Sequence, residues 1–226
     1  MINAAIHQII NSSQEYGWVM EPQAKEIFRL AGLPVPQFIV VKDITECGPA
    51  AKTLGYPLAA KVVSPEIIHK TEHQGVVVNI GDLAGLKDVF IDLSGLPGFQ
   101  GVLLEKMSSG VELILGAKND PQFGPVVLLG IGGIGVEIYK DTAIRMAPVA
   151  TEDVDRMISE LKGRKLLEGY RGAPAVNRTS LIETVRNFSL LSMELATHFE
   201  SIDINPLFCA KDGCFVADAR IILRQA

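Results

Sequence analysis

The chain has 226 residues, of which 48% are hydrophobic, and carries a formal net charge of −5 with a pI of about 5.4. The hydrophobic fraction excludes a disordered chain and is enough for one large domain or two lobes. The acidic balance argues against a general nucleic-acid binder, which would carry a basic face. Residues 124–138 are the most apolar stretch, but five glycines and a proline there favour buried strands and turns over a membrane span.

Hydrophobic periodicity predicts mixed α and β structure in two lobes. In chain order the predicted elements are helices at 3–13 and 21–31, a strand at 38–41, a helix capped by Asp43, a strand at 58–63, a loop at 64–74, a strand at 75–80, a helix near 82–92, strands at 102–106, 111–118, 125–130, 134–139 and 143–149, a helix from Thr151, a helix at 178–198 and a C-terminal hairpin. The change near 107–110 predicts an N-terminal α/β lobe over 1–107 and a C-terminal lobe over 108–226.

The C-terminal hairpin is the sharpest local feature. Asp212-Gly213 lies between two apolar runs and predicts a two-residue turn. Counting outward places Asn205 opposite Arg220, so Asp203, Asn205, Asp218 and Arg220 are expected on one side. Asn205 and Asp218 become diagonal neighbours, roughly 7–8 Å apart at Cα, which predicts a magnesium site with oxygen ligands. The alternative is a solvated polar strand face.

Cysteine usage predicts no disulfide framework. The chain has three cysteines, Cys47, Cys209 and Cys214. The predicted hairpin register puts Cys209 diagonally from Cys214, which is long for a bridge. The first twenty residues also lack the basic region and apolar core of a signal peptide. We therefore expect a cytoplasmic protein that does not enter a membrane.

Two charged side chains lie in or beside apolar strands. Lys61 falls inside the run 58–63, where a lysine is costly unless its charge has a partner, and a nucleotide phosphate would be one. The alternative is an edge lysine that reaches water. Glu105 ends the next apolar strand, where two lobes meet, and could accept hydrogen bonds from a ribose. Its alternative is an ordinary charge at a strand end.

The loop that follows the Lys61 strand contains His69, Lys70 and Thr71. A neutral imidazole can attack phosphorus, so His69 is a candidate carrier of phosphate, with Lys70 and Thr71 holding phosphate oxygens. The alternative is a surface loop with two exposed histidines. His73 is the expected bystander of the two.

A glycine run at 130–135 fits the string G-x-G-x-x-G. A dinucleotide-binding fingerprint needs a strand before the run and a helix after it. The strand is predicted, but extended chain follows, so we expect the glycines to let backbone segments or a ligand approach closely. Arg145, further along, is a modest candidate for contact with phosphate.

Several segments together resemble one family. They are Pro57 to Pro65 with Ile68-His69-Lys70-Thr71, Asp120-Pro121-Gln122-Phe123-Gly124-Pro125, the glycine run to Val136-Glu137, Gly169-Tyr170-Arg171-Gly172, and Asp203-Ile204-Asn205-Pro206-Leu207. In this order, from about residue 20 to the end, they are similar to the beta subunit of ADP-forming acetyl-CoA synthetases, which is related to succinyl-CoA synthetase. The resemblance implies a two-lobed ATP-grasp fold of mixed α and β (α+β) structure.

The resemblance also implies an activity and a partner. An acyl-CoA, phosphate and ADP become a free acid, CoA and ATP, reversibly, with a CoA-binding alpha subunit and an α2β2 assembly. By this resemblance His69 carries phosphate, and Asp203 lies where the alpha subunit's phosphohistidine docks. Lys61 contacts nucleotide phosphates, Glu105 and Glu112 hold the adenosine end, and Asn205 and Asp218 bind Mg²⁺. Alone, the chain is expected to bind ATP or ADP without turnover.

One departure from the family's loop pattern and two alternative functions remain open. His73-Gln74-Gly75 stands where the family has a small apolar residue and paired glycines, which bears on whether the His69 loop swings. An ATP-grasp carboxylate–amine ligase would share the nucleotide and magnesium residues but need no carrier histidine. A regulatory subunit that has lost the chemistry would fail to bind Mg-ADP.

Overall fold

The computed structural model describes residues 4–133 and 141–224. Its α-helices are α1 Ala4–Ser13, α2 Glu21–Leu30, α3 Cys47–Leu54, α4 Leu83–Ser94, α5 Thr151–Glu160 and α6 Arg178–Glu194, with 3-10 turns at Gln14–Tyr16, Ile44–Glu46 and Arg164–Leu166. Its strands are β1 Trp18–Val19, β2 Phe38–Val41, β3 Leu58–Val63, β4 Val76–Ile80, β5 Gly101–Lys106, β6 Val111–Asp120, β7 Gly124–Ile131, β8 Thr142–Met146, β9 Phe199–Ala210, β10 Gly213–Val216 and β11 Arg220–Leu223. The strand predicted at 134–139 lies outside the described residues.

The described residues form two compact units. Pro36–Ser108 form one, called the inserted unit, and the described residues up to Val35 and from Ser109 onward form the other, called the main unit. This differs from the predicted lobe over 1–107, because α1, β1 and α2 pack with the C-terminal half. The physical reason is a long-range strand pair, in which Trp18 and Val19 pair antiparallel with Ile222 and Ile221 of β11.

The inserted unit is a four-stranded antiparallel sheet in the order β2-β5-β3-β4. Asp43 starts the α3 region through a capping box, in which its carboxylate accepts from Thr45 N at 2.8 Å. The α3 and α4 helices pack on one face of the sheet, against alternate strand residues such as Ala60, Val62 and Leu104. Residues with the opposite parity, including Lys61 and Glu105, therefore point away from these helices.

The main unit is built on an antiparallel sheet in the order β1-β11-β9-β6-β7-β8, with β10 also pairing with β9. Its helices share one core with one face of this sheet, and fully buried members include Phe28, Phe188, Leu115 and Ile202. Burying each such side chain contributes roughly 1.5–3 kcal/mol. The opposite face, called the outer face, carries Glu112, Asp203 and Arg220. No helix within the described ranges is long and apolar enough to cross a membrane.

Candidate functional site

The predicted site residues divide between the two units. Lys61, His69 and Glu105 belong to the inserted unit, and Glu112, Arg145, Asp203, Asn205 and Asp218 belong to the main unit. The geometry of each group is set by the strands and helices of its own unit.

Lys61 and Glu105 form a buried ion pair. Lys61 Nζ lies 2.6 Å from Glu105 Oε1, and their side chains are 8% and 4% exposed. Lys61 is on β3, which pairs with β4 on one side and β5 on the other, so the alternative of an edge lysine is wrong. Its register partner on β5 is Leu103, which makes Glu105 a diagonal neighbour on the same face. The two predicted nucleotide contacts thus meet in the fold.

His69 is exposed in the turn-rich segment between β3 and β4. Its neighbours anchor the segment, because Ile67 is 2% exposed in the core of the inserted unit and Lys70 is 7% exposed. Lys70 O accepts from Gly75 N at 2.7 Å, which closes the loop beyond His69. An imidazole on a short, anchored loop is accessible to a phosphoryl donor while its backbone is held in place.

The tip of this loop shows the consequence of the departure from the family pattern. Gln74 adopts a φ of 54°, in the left-handed region, where a non-glycine residue costs about 1–2 kcal/mol. Gly75 must remain glycine, because a Cβ there would lie 2.7 Å from Val62 Cγ1. Of the paired glycines expected here, the second is kept, and glutamine occupies the strained position of the first.

Glu112 is exposed on β6, and a glycine segment lies directly against it. Gly132 N donates to Glu112 O at 2.6 Å, and a Cβ on Gly132 would lie 2.9 Å from that oxygen. The glycines therefore permit close backbone approach, as the sequence predicts. The dinucleotide fingerprint does not apply, because β7 and β8, before and after the run, are antiparallel neighbours rather than strands of a βαβ unit.

Asp203 and Arg220 face each other across β9 and β11. Arg220 Nη2 donates to Asp203 Oδ2 at 3.3 Å, with side-chain exposures of 30% and 36%. Ile202, Ile204 and Ile221, with the opposite parity, are in the core of the main unit. The pair therefore projects from the outer face.

The observed hairpin register differs from the predicted one by two residues. Gly213 pairs with Ala210, so the turn is Lys211-Asp212. Gly213 enters the strand with a φ of 150°, which glycine adopts readily, and this moves the turn back by one residue. A shift of two preserves the face of every side chain, so Asp203 still shares its side with Arg220.

The same shift places Asp218 level with Asn205. Ala217 N donates to Pro206 O at 3.1 Å in the connection between β10 and β11, and the continued count puts Asp218 opposite Asn205. Asp218 Oδ1 accepts from Ala219 N at 2.8 Å, which orients the carboxylate. An amide and a carboxylate are donors that suit Mg²⁺ when phosphates and waters complete its shell. Among the described residues, no three His, Cys, Asp or Glu side chains form a metal-binding group.

The prediction that Cys209 and Cys214 are too far apart for a disulfide is wrong. The corrected register pairs them directly, with their Cα atoms 4.1 Å apart, and they form a disulfide. Cys47 is the free thiol of the described residues and is buried.

Arg145 lies apart from the Asp203 cluster. On β8 it has the parity of buried Ala143, and its guanidinium forms a two-point pair with the Glu160 carboxylate of α5. The hydrogen bonds from Arg145 hold the pKa of Glu160 below its usual value. In this arrangement Arg145 ties β8 to α5. Its predicted contact with nucleotide, which stays a prediction, would require the pair to open.

Comparison with known proteins identifies the family to which this fold belongs. A sequence profile for an ATP-grasp domain matches residues 11–223. The chain is 38% identical over 218 residues to the beta subunit of acetate–CoA ligase (ADP-forming) I of Pyrococcus furiosus, over 91% of each chain. This chain belongs to the ATP-grasp family of ADP-forming acetate–CoA ligase beta subunits. The predicted family and fold are therefore confirmed.

Two further relatives show the family in other forms. The 4-hydroxybutyrate–CoA ligase (ADP-forming) of Nitrosopumilus maritimus is 37% identical over 213 residues, which are 90% of this chain but 30% of that protein. The dinucleotide-forming acetyl-CoA synthetase 1 of Candidatus Korarchaeum cryptofilum was solved with CoA and Mg-AMPPCP, its phosphohistidine segment pointing towards the nucleotide-binding site. That structure has a TM-score of 0.85 and 31% identity, over 97% of this chain and 100% of that chain.

Sequence reasoning about this ADP-forming acetate–CoA ligase subunit missed two features of the site. Arg220 was expected beside Asp203 on the hairpin face, but not as the donor to its carboxylate. Gly116, in the middle of β6, was not singled out, although a glycine inside a strand signals a close approach by a ligand or another backbone.

Proposed function

We propose that this chain is the nucleotide-binding subunit of an ADP-forming acyl-CoA synthetase and passes phosphate through histidine between an acyl phosphate and ADP. The observation that carries the proposal is the gathering of Asp203 and Arg220 on the outer face, with Asn205 and Asp218 opposite each other beside them. An acid, a guanidinium and two hard oxygen ligands suit phosphoryl transfer from an imidazole to a nucleotide, in which charge must be neutralised and the reacting groups positioned.

Lys61, Glu105, Glu112, Asn205 and Asp218 are proposed, residue by residue, as contacts to the nucleotide and its metal. The ammonium of Lys61, held at a fixed place by Glu105, offers charge to nucleotide phosphates. Glu105 and Glu112 supply acceptors for the adenosine end. Asn205 and Asp218 fit Mg²⁺ by donor chemistry, and when bound the ion would neutralise phosphate charge. Arg145 is proposed to contact the nucleotide only after its side chain has broken the ion pair with Glu160.

His69 is proposed as a carrier. Phosphate reaches it from a phosphohistidine of the partner, whose P–N bond breaks as a new P–N bond forms on His69. In the next step the second P–N bond breaks, its electron pair stays on the His69 imidazole, and a P–O bond forms to ADP. The exposure of His69 between buried Ile67 and Lys70 supports this role, because a carrier must be accessible and yet held.

The partner is a CoA-binding alpha subunit that activates the acyl group. Support comes from the relatives, because the match covers 91% of one named a subunit and 30% of a longer ligase. An α2β2 assembly and a cytoplasmic location are part of the proposal. The Nitrosopumilus relative is named for 4-hydroxybutyrate rather than acetate. We therefore propose no particular acyl group for this chain and assign recognition of the acyl group to the partner's pocket.

The test uses the complex co-expressed with its partner chain. After incubation with γ-labelled ATP and magnesium and a basic quench, acid-labile phosphate is mapped by mass spectrometry. We expect phosphate on His69, and we expect the His69→Ala variant to lose both this phosphate and acyl-CoA synthesis.

The matched control is His73→Ala, which removes the other exposed histidine of the same loop. It should keep both the phosphate on His69 and the overall reaction. Full acyl-CoA synthesis by the His69→Ala complex would contradict the carrier role and leave this chain as a nucleotide-binding subunit without a carrier histidine. Failure of the wild-type chain to bind Mg-ADP would favour a regulatory subunit.

A further inference from the structure

The segment Gly169-Tyr170-Arg171-Gly172 forms the tip of a short loop between the Arg164–Leu166 turn and α6. Val176 N donates to Leu167 O at 3.0 Å, which closes the loop at its base, and Ala173 N donates to Tyr170 O at 3.0 Å, which closes its tip. The tip exposes two large side chains, since Tyr170 is 49% exposed and Arg171 is exposed. Neither takes part in the proposed contacts with nucleotide, magnesium or phosphate.

The backbone of this tip is strained at its arginine. Three positions have a positive φ, 93° at Gly169, 49° at Arg171 and 88° at Gly172. Glycine adopts this region readily, whereas arginine does so at a cost in free energy. Strain of this kind is found at binding sites and active sites. An arginine kept where a glycine would fit better therefore indicates a task for its side chain.

The Arg171 side chain stacks on the neighbouring tyrosine. Its Cζ lies 5.3 Å from the centroid of the Tyr170 ring, which is within the range of a cation–π contact. Because the ring covers the face of the guanidinium, the N–H donors at its edge remain available to an acceptor on another molecule. Five other arginines of the described residues instead form ion pairs with carboxylates of this chain: Arg29, Arg145, Arg156, Arg178 and Arg220.

The surface around this tip is basic. Between 161 and 171 the chain carries four cations and one carboxylate, although its formal net charge is −5. All five side chains are exposed: Lys162, Arg164, Lys165, Glu168 and Arg171. Two copies of such a surface would repel each other in a symmetric contact, where the same patch meets itself. The charge therefore favours an acidic surface on a different chain.

A small apolar cavity lies at the base of the loop, beside α5 and α6. Its volume is about 140 Å³, and its apolar lining consists of Ile158, Leu167, Ala175, Val176 and Leu181. A cavity of this size holds one ring or one branched aliphatic side chain. Protein interfaces draw most of their binding energy from a few tyrosine and arginine anchors and from well-packed pockets. This loop combines both anchors with such a pocket.

We propose that Gly169–Gly172, together with the cavity at the base of the loop, is a docking site for the CoA-binding partner chain. The site takes an acidic segment of that chain, with a carboxylate on Arg171 and one apolar side chain in the cavity. The proposal rests on the proposed function for the existence of this partner. The closed loop lowers the cost of association, because its backbone does not have to be ordered on binding.

The experiment measures the affinity of the purified chain for the purified partner chain by titration calorimetry. The first variant is Arg171→Glu, and its control is Arg186→Glu, which makes the same change of charge at an exposed arginine of α6. We expect Arg171→Glu to weaken the affinity about 30-fold or more, because the partner's carboxylate then meets a like charge. Arg186→Glu should leave the affinity unchanged.

Arg171→Gly separates docking from folding. Glycine adopts the φ of 49° without strain, so the unfolding temperature of the chain should rise by roughly 2–4 °C while the affinity for the partner falls about tenfold or more. Arg171→Lys should keep part of the affinity, because it keeps the charge but loses the stacked planar fork. Added salt should weaken wild-type association more than that of Arg171→Gly, since it screens the charge of Arg171.

Wild-type affinity in Arg171→Glu, or an equal loss in Arg186→Glu, would overturn the docking site and leave the proposed function standing. An unchanged affinity for the partner together with a raised KM for acyl-CoA would also overturn it, because the loop would then bind a phosphate-bearing substrate. Failure of the wild-type chain to bind any partner chain would overturn the proposed function and the docking site together.

Discussion

Lys61 and Glu105 form an ion pair that the fold of the inserted unit buries, with Nζ and Oε1 2.6 Å apart and side-chain exposures of 8% and 4%. They lie on adjacent strands, on the face of the sheet that turns away from α3 and α4. A buried pair is weak evidence for stability, because desolvation offsets its attraction. The proposed contact with nucleotide phosphates would account for a lysine in this apolar strand.

Lys61→Met should lower the free energy of unfolding by about 3–5 kcal/mol, because Glu105 stays buried without its lysine. The double variant Lys61→Met/Glu105→Leu should recover most of this loss, since two apolar groups replace the pair, and yet bind no Mg-ADP. Urea unfolding and titration calorimetry measure the two properties. Wild-type affinity in the double variant would remove Lys61 from the nucleotide site.

Asp218→Asn should weaken Mg-ADP binding at least about tenfold, because a neutral amide replaces the charged magnesium ligand. Stability should change little, since Asp218 is partly exposed. The control is Asp212→Asn in the exposed turn of the same hairpin. With EDTA present, the affinities of Asp218→Asn and wild type for ADP should become equal. A persistent difference would mean that Asp218 acts without magnesium.

Gln74→Gly should stabilise the protein by about 1 kcal/mol, because glycine adopts the φ of 54° without strain. Thermal unfolding should then shift upward by roughly 2–4 °C. Asn79→Gly is the matched control, since Asn79 has a φ of 60° and asparagine tolerates this region better. A gain at Asn79 as large as the gain at Gln74 would contradict the strain at the loop tip.

Arg145→Gln should raise the pKa of Glu160 to its ordinary value, because the hydrogen bonds from Arg145 lower it. A carboxyl whose folded pKa is depressed contributes stability above its unfolded pKa, near 4.5, and loses it as pH falls through the folded pKa. NMR titration of the Glu160 carboxyl measures this directly. If saturating Mg-ADP raises the Glu160 pKa in the wild-type protein, Arg145 has left for the nucleotide. An unchanged value would limit Arg145 to tying β8 to α5.

Local features of this fold could be predicted well from the sequence. The strands at 38–41 and 58–63 have the predicted bounds, because apolar runs between turn residues leave little choice of limits. The Asp43 cap forms as expected. Asp203 and Arg220 share a face as predicted, because a register shift of two residues does not change which face each side chain points to.

Features that depend on distant partners could not be predicted. The turn of the hairpin is one residue earlier than Asp212-Gly213 suggests, because Gly213 is used as a strand residue. Arg145 and Glu160, which pair between β8 and α5, are fifteen residues apart in the chain, and no local pattern indicates their contact. Trp18-Val19 is too short an apolar segment to predict a strand without its partner β11.

The pairing of β1 with β11 has a consequence for the order of folding. During synthesis, Pro36–Ser108 leaves the ribosome as a complete unit with its own core, and its strands pair within that stretch. The pairing of Trp18-Val19 must wait for Arg220–Leu223, because β1 pairs with β11 alone among the described strands. Nascent chains stalled before residue 220 should therefore contain a protease-resistant fragment from the inserted unit, while Trp18-Val19 still lacks its strand partner.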